Sequence, residues 1–433
     1  MIQRIVTLVI LLGTSWLPMF AQELTISPYS RYGIGDIIGA TTTRNAGMGG
    51  LSVAPDNYFS INRVNPASYG DLYFTTMDVS TFWQASQLRT NNAQGTRTTA
   101  GIQNAAFAFP SNNNLILTMG FAPFSTVGYE VTDRRDVLVA DSVLIEETTY
   151  TGNGGLNQAY VGAAVRLFNR RLRLGVNGQF NFGNTTYNWA TLIFRSDSVL
   201  APNFFPLITN EDVYVTGLMG TAGFIYEDTL GAGREITWRL GGMVDYNFSL
   251  SGDRFTRVSN GIVTDTLGGV EQGSISIPPR FGLGLMVHKF AHWSVGADVT
   301  YQDWSVYEYF GESSTLGREI RASIGGEITP DVESTNYLKR MDYRLGGYYN
   351  QTYLVFDDQP VTDYGITFGF GLPADLKGNS RFNRGRTVSR INLSFELGRR
   401  GNLASGFPME ELYARIRLGA TVNDRWFIRR VVD

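Results

Sequence analysis

Trp293-Ser294-Val295-Gly296-Ala297-Asp298-Val299-Thr300-Tyr301 sorts its side chains by parity. Trp293, Val295, Ala297, Val299 and Tyr301 share one face of an extended chain, and Ser294, Gly296, Asp298 and Thr300 share the other. Successive side chains of a strand point to opposite faces, so this segment has one apolar and one polar side. The rule recurs from Ile391, where Ile391, Leu393, Phe395 and Leu397 oppose Asn392, Ser394, Glu396 and Gly398. It recurs again from Leu412 and from Ile236. A period of two held over about 10 residues is the pattern of a transmembrane β-barrel, whereas the strands of a soluble sandwich usually stop at about 5–6.

Working outward from these stretches gives strands at 72–88, 100–110, 114–130, 154–168, 171–189, 212–227, 234–251, 276–287, 292–309, 319–328, 341–354, 362–373, 388–399 and 411–423. That makes fourteen, an even number, as bacterial single-chain barrels require. Tight connections at Ser111-Asn112-Asn113, at Asn169-Arg170 and at Lys289 to Ala291 alternate with long ones at 131–153, 190–211 and 252–275. The short ones are expected at the periplasmic face and the long ones as extracellular loops. Trp83, Trp189, Trp238, Trp293 and Trp304 fall toward strand ends, where interfacial girdles form. The expected fold is therefore all-β, a 14-stranded antiparallel transmembrane barrel.

Composition agrees. The 433 residues include 49 Gly and 13% aromatics, with 17% charged residues. Apart from the N-terminus there is no apolar run of about 20 residues, which excludes a polytopic helical membrane protein. The aromatic content supplies too much surface to bury for a disordered chain. A net charge of −3 gives no reason to expect a nucleic-acid partner. The absence of Cys removes disulfides, thiolate metal sites and a lipid-attachment cysteine together. Only Lys289, Lys339 and Lys377 are lysines, so the positive charge is almost all Arg, the side chain suited to fixed multidentate pairing in a polar cavity.

Met1 to Ala21 has one cation, Arg4, an apolar core from Ile5 to Leu12, and breaks at Gly13 and Pro18. This is the form of a secretory signal peptide over 1–21, cleaved after Ala21. Residues 22–71 are rich in Gly and Pro yet carry Tyr, Phe and Ile, and are expected as a plug folded into the lumen. The barrel then covers 72–423, and 424–433 remain as a periplasmic tail. There is no Gly-x-Ser-x-Gly elbow, no His-Glu-x-x-His and no phosphate loop. His288 and His292 flank a tight turn without further ligands in a suitable pattern, and loop acids such as Asp253, Asp265 and Glu271 match no calcium loop. A non-enzyme without cofactor or metal is expected.

The plug carries a resemblance. Gly47-Met48-Gly49-Gly50, then Ala54-Pro55-Asp56, then Asn65-Pro66-Ala67 resembles the N-terminal hatch of FadL-type outer-membrane transporters of hydrophobic compounds. Ser27 to Asp36 (SPYSRYGIGD) and Asn423 to Phe427 look like a Bacteroidetes branch whose relatives include barrels associated with type IX secretion. The resemblance implies a fourteen-stranded barrel with Gly47, Gly49, Gly50, Asn65, Pro66 and Ala67 in its hatch. It also implies a third strand kinked inward to let a ligand leave sideways. Strand three contains Gly120-Phe121-Ala122-Pro123-Phe124, and Pro123 cannot donate to a ladder. A lateral opening lined by Phe121, Pro123 and Phe124 is one reading; a simple bulge is the other.

Inward positions carry Arg173, Arg239, Asp245, Asp298, Asp342, Arg344, Glu396, Arg415 and Arg417, a mixture expected to brace the wall as ion-pair ladders. Two functions are expected, the first leading and the second its alternative. One is uptake of a small hydrophobic ligand into outer-membrane lipid. The other is a closed accessory barrel in an outer-membrane secretion or barrel-assembly complex, with other subunits of that complex as partners.

Overall fold

A computed structural model describes residues 25–424, apart from 57, 92, 112–113, 140–141, 196–199, 202–203, 231–234, 261, 314, 375–388 and 406. The expected signal peptide, and the tail beyond 424, lie outside the described residues.

Fourteen antiparallel staves close into a barrel. They are β1 (Thr75–Arg89), β2 (Gln94–Pro110), β3 (Leu115–Val139), β4 (Ser142–Leu167), β5 (Leu172–Arg195), β6 (Leu207–Leu230) and β7 (Ile236–Ser259). There follow β8, in two pieces (Thr264–Ser276 and Arg280–Lys289), β9 (Trp293–Asp303), β10 (Arg318–Ile328), β11 (Asp342–Phe356), β12 (Gln359–Pro373), β13 (Arg390–Arg400) and β14 (Glu410–Asp424). Closure is made by β14 on β1, in unbroken register from Glu410 opposite Arg89 to Asp424 opposite Thr75. In hydrocarbon every backbone polar group needs a partner within the protein, and a closed ladder supplies it. Among the described residues no helix is long and apolar enough to cross a membrane. The alternation behaves as written: Val295 and Val299 of β9 are exposed on the outer face, while Ser294 and Asp298 are buried on the inner one. Exposed Trp83, Tyr301, Tyr349 and Tyr364 mark the outer ends of the lipid face.

Three expectations need correction. The segments 131–153, 190–211 and 252–275 are mostly paired strand and not loops, because β3 to β7 run 24 to 26 residues and zip into long hairpins above the membrane. The eighth stave does not stop at 276–287. It continues upward to Thr264 and is broken by Pro278-Pro279, whose nitrogens cannot donate. Trp304 belongs to no girdle; it is fully buried in a 3-10 turn and stacks on Tyr353 at 4.5 Å between centroids. That pair belongs to an apolar core at the extracellular end, with Tyr29, Ile34, Leu250, Ile275 and Leu354.

Residues 25–74 run inside the barrel. The chain starts under the extracellular core, where Tyr29 donates to the Met409 carbonyl at 2.7 Å. It descends past β10–β12, crosses beneath β7–β9, and reaches β4–β6 through the 3-10 helix Pro66–Asp71 before entering β1.

Candidate functional site

The Asn65-Pro66-Ala67 motif is a helix start. Asn65 is the N-cap, its Oδ1 accepting from the Ala67 N–H at 3.1 Å, and Pro66 fills the first helical position, where no N–H is needed. The other end of the same amide donates to the Val53 carbonyl at 2.6 Å and to the Phe224 and Gly242 carbonyls of the wall. Gly49 and Gly50 adopt φ +71° and +87°, and the Gly49 N–H reaches Thr367 Oγ1 at 2.7 Å. Gly47 closes the short helix Thr43–Ala46. The wall answers with glycines of its own. A Cβ on Gly175 would collide with Pro66, and one on Gly346 would collide with Met48 and Gly49. The glycine surplus is thus spent where two backbones meet across the lumen, on both partners.

Ion pairs fasten the segment to the wall. Asp71, fully buried, lies 2.7 Å from Arg173 and 2.7 Å from Arg239, which also meets Glu227 at 2.5 Å and the Pro55 carbonyl. Burial alone would raise the Asp71 carboxyl, but the two guanidiniums outweigh it and hold it below the usual carboxylate range. Arg44 reaches Asp56 and Glu327, each at 2.8 Å; Glu327 also takes Arg344 at 2.6 Å, and Asp342 takes Arg344 and Arg390. Asp298 accepts from the Ser52 and Val53 N–H groups at 2.5 and 2.8 Å. Higher up, Arg400 meets Asp36 at 2.7 Å. Asp245 with Arg280, and Glu396 with Arg417 and Arg415, stay within the wall.

The nine inward charges read from the sequence therefore all face the lumen side, and they form two systems. Arg173, Arg239, Asp298 and Arg344 engage the luminal segment directly or through a shared carboxylate; the others brace strand to strand. The partners Asp36, Arg44, Asp71, Glu227, Arg280, Glu327 and Arg400 went unread. Alternation signals the inward wall residues among them, but nothing local in the sequence marks Asp71 as the counter-ion of two arginines more than a hundred positions away. His288 is buried, with Nε2 3.2 Å from Tyr58 Oη. Among the described residues no group of three His, Asp or Glu side chains could hold a metal ion.

Among the described residues the wall is interrupted between β2 and β3, beside this segment. β2 and β3 pair only from Pro110 opposite Ile116 to Ala105 opposite Phe121. Above that level β3 turns inward: Ala122 to Tyr129 are buried apart from half-buried Phe124, and the register with β4 shifts between Pro123 and Ser125. The freed edge of β3 is taken by the luminal segment, where Asp36–Ile37 adds as a short antiparallel strand opposite Thr126 and Ser125 and the Ile38 N–H donates to the Phe124 carbonyl at 2.9 Å. Phe121 faces lipid, Pro123 sits at the turn, and Phe124 packs on the extracellular core. Behind the interruption lies a cavity of about 300 Å³ reaching Gln103 on β2 and Thr126 on β3. Its lining mixes Asp36, Arg280, Asp298, Glu319, Arg321 and Arg400 with Ile37, Ile38, Val53, Val64, Phe82 and Tyr353, so it is part charged and part apolar.

The whole sequence, residues 1–433, matches the family model BamG. No curated protein matches. The fold is shared with solved outer-membrane channels at low identity. A Pseudomonas aeruginosa FadL homologue is 13% identical with a TM-score of 0.56, covering 90% of this chain and 99% of that one. The Pseudomonas putida toluene transporter TodX is 14% identical at 0.53, covering 91% and 100%. The Ralstonia pickettii toluene transporter TbuX is 12% identical at 0.54, covering 90% and 99%.

Proposed function

This chain belongs to the BamG family, and from that premise we propose that it is a plugged partner subunit of an outer-membrane barrel-assembly or secretion complex. The observation that carries the reading is the obstructed lumen. A segment of some fifty residues is pinned by buried ion pairs at its periplasmic end and by an apolar core at its extracellular end. Removing one member of a buried pair typically costs about 3–5 kcal/mol, so displacing several together is an unfavourable gating motion. The long hairpins of β3 to β8 add a second support. They expose Leu138, Val143, Phe205, Ile262 and Val263 well above the bilayer, where apolar surface suits a protein partner.

The test is purification of the intact protein from detergent-solubilised outer membrane. A stoichiometric protein partner is expected; a lone barrel carrying a lipid-like ligand would count against the reading.

A second reading, uptake of small hydrophobic compounds with sideways exit past Phe121, Pro123 and Phe124, is favoured by the break between β2 and β3 and by the fold shared with toluene transporters. The charged side chains in the cavity behind the break count against it, because an apolar solute there would have to share the space with them. Transport of toluene or a fatty acid by reconstituted vesicles, lost when the break is sealed, is the result this reading requires.

A further inference from the structure

We propose that the luminal cavity behind the break binds a small organic cation, a primary ammonium group on a short aliphatic chain. This goes beyond the subunit reading and does not depend on it.

The cavity, of about 300 Å³, has the volume of a small-molecule pocket and far exceeds a bare ion. Its charges are unbalanced. Among the described residues, Arg280 is matched by Asp245, Arg400 by Asp36, and Arg415 and Arg417 by Glu396. The fifth lining guanidinium, Arg321, lies 3.9 Å from the centroid of the Tyr348 ring and donates to the Gly49 carbonyl at 3.3 Å. Four lining carboxylates, Asp298, Glu319, Asp363 and Glu411, belong to no ion pair among the described residues. Asp298 is taken up by the Ser52 and Val53 N–H groups, and Glu411 accepts from Ser27 Oγ at 2.8 Å. Glu319 and Asp363 accept only from neutral groups of the wall: Trp304 Nε1 and Asn350 Nδ2 for the first, Tyr413 Oη at 2.7 Å for the second. An excess of negative charge in a walled cavity draws in cations.

Unused acceptors point the same way. Asn350 is 8% exposed, and its Nδ2 donates to Glu319 Oε1 at 3.2 Å, which fixes the amide and leaves Oδ1 without a donor. Gln103 is 4% exposed; its Nε2 donates to the Thr41 carbonyl at 3.0 Å, and its Oε1 likewise has no donor. Gln103 is the extra residue of a bulge, since Ser80 pairs with Asn104 and Thr81 with Ile102, and bulges re-aim side chains. A buried acceptor without a donor is unfavourable, so both oxygens favour a ligand that donates. The unpaired donor in this lining is Arg400 Nε, on a guanidinium already matched by Asp36.

Register places the acceptors together. Asn350 of β11 stands opposite Asp363 of β12, and Glu319 of β10 is joined to it by the amide hydrogen bond. An ammonium carries three donors and no acceptor, the complement of a pole made of two carboxylates and one amide oxygen. Ile37, Ile38, Val53, Val64 and Phe82 give the rest of the ligand apolar contact.

The probe is n-hexylammonium, titrated calorimetrically into the purified full-length protein in an uncharged detergent at constant ionic strength. Saturable binding is expected, and none for hexanol, hexanoate or sodium chloride. Glu319→Gln and Asp363→Asn should each weaken binding about tenfold, while Glu271→Gln on the upper wall leaves it unchanged. Arg321→Gln removes a nearby positive charge and should tighten binding severalfold, an outcome that a loosened fold does not give. Equal binding of hexanol would make the cavity merely apolar, and a response to sodium chloride alone would make it an inorganic-cation site; either overturns the proposal. So would parent-like affinity in both carboxylate variants, or unchanged or weaker binding by Arg321→Gln.

Discussion

The two halves of the barrel differ in what sets their length. β9, β10 and β13 have 11 residues each, close to the ~9–11 that a tilted strand needs to cross a bilayer. β3 to β7 have 24 to 26, roughly 80 Å when extended at ~3.3 Å per residue. The short half is sized by the membrane; more than half of each long strand stands outside it. Both halves hold the luminal segment, the short one through Glu327 and Arg344 and the long one through Arg173 and Arg239. The difference teaches that the lower barrel is a uniform anchoring ring, while the upper wall is a separate surface mounted on one side of it.

The largest effect should come from Asp71, where the long half is anchored. Asp71→Ala leaves the buried Arg173 and Arg239 to share the single carboxylate of Glu227, and thermal unfolding in detergent should report a loss of about 3–5 kcal/mol. Equal stability of variant and parent would mean that the luminal segment is not what holds this half together.

Two exposed residues separate the halves directly. Ile324 on β10 and Leu138 on β3 are 63% and 71% exposed. Ile324→Arg places a cation in lipid and should cost about 2–4 kcal/mol, whereas Leu138→Arg, above the membrane, should stay within about 0.5 kcal/mol. Similar losses at both sites in folding assays on lipid vesicles would abolish the distinction between ring and wall.

A smaller contrast lies within β5. Gly175→Ala forces a methyl group into Pro66 and should cost about 1–3 kcal/mol, while Gly178→Ala meets nothing within 4 Å. Indistinguishable melting curves for the two would show that close approach to the luminal segment is not why glycine occupies position 175.

The mildest test is acid. The Asp71 carboxyl is depressed in the folded state, so its contribution is present above the ordinary carboxylate range and is lost as pH falls through the lower folded value. Protection of residues 62–72 from hydrogen exchange should therefore hold at neutral pH and fade only in acid, below the ordinary carboxylate range. Fading already near pH 6 would assign the anchoring to another group.

Much of this was legible in the sequence. Parity in segments such as Trp293 to Tyr301 gives the barrel, its fourteen staves and the inward charges, because a strand's alternation is a local property that a bilayer makes strict. The hatch-like glycines and Asn65-Pro66-Ala67 were legible as a motif for the same reason: capping involves neighbours in the chain. The upper hairpins were misread as loops, since 131–153 carries its alternation as charges and hydroxyls, a pattern that solvated loops share. Its strand character comes from pairing β3 with β4.

The sequence by itself determined which face of each strand meets lipid, and that the chain would close on itself to avoid an open edge in hydrocarbon. Only the tertiary structure decided which carboxylate serves which arginine and where the luminal segment replaces β2 beside β3. Those outcomes depend on contacts between residues tens to hundreds of positions apart, and no local periodicity encodes them.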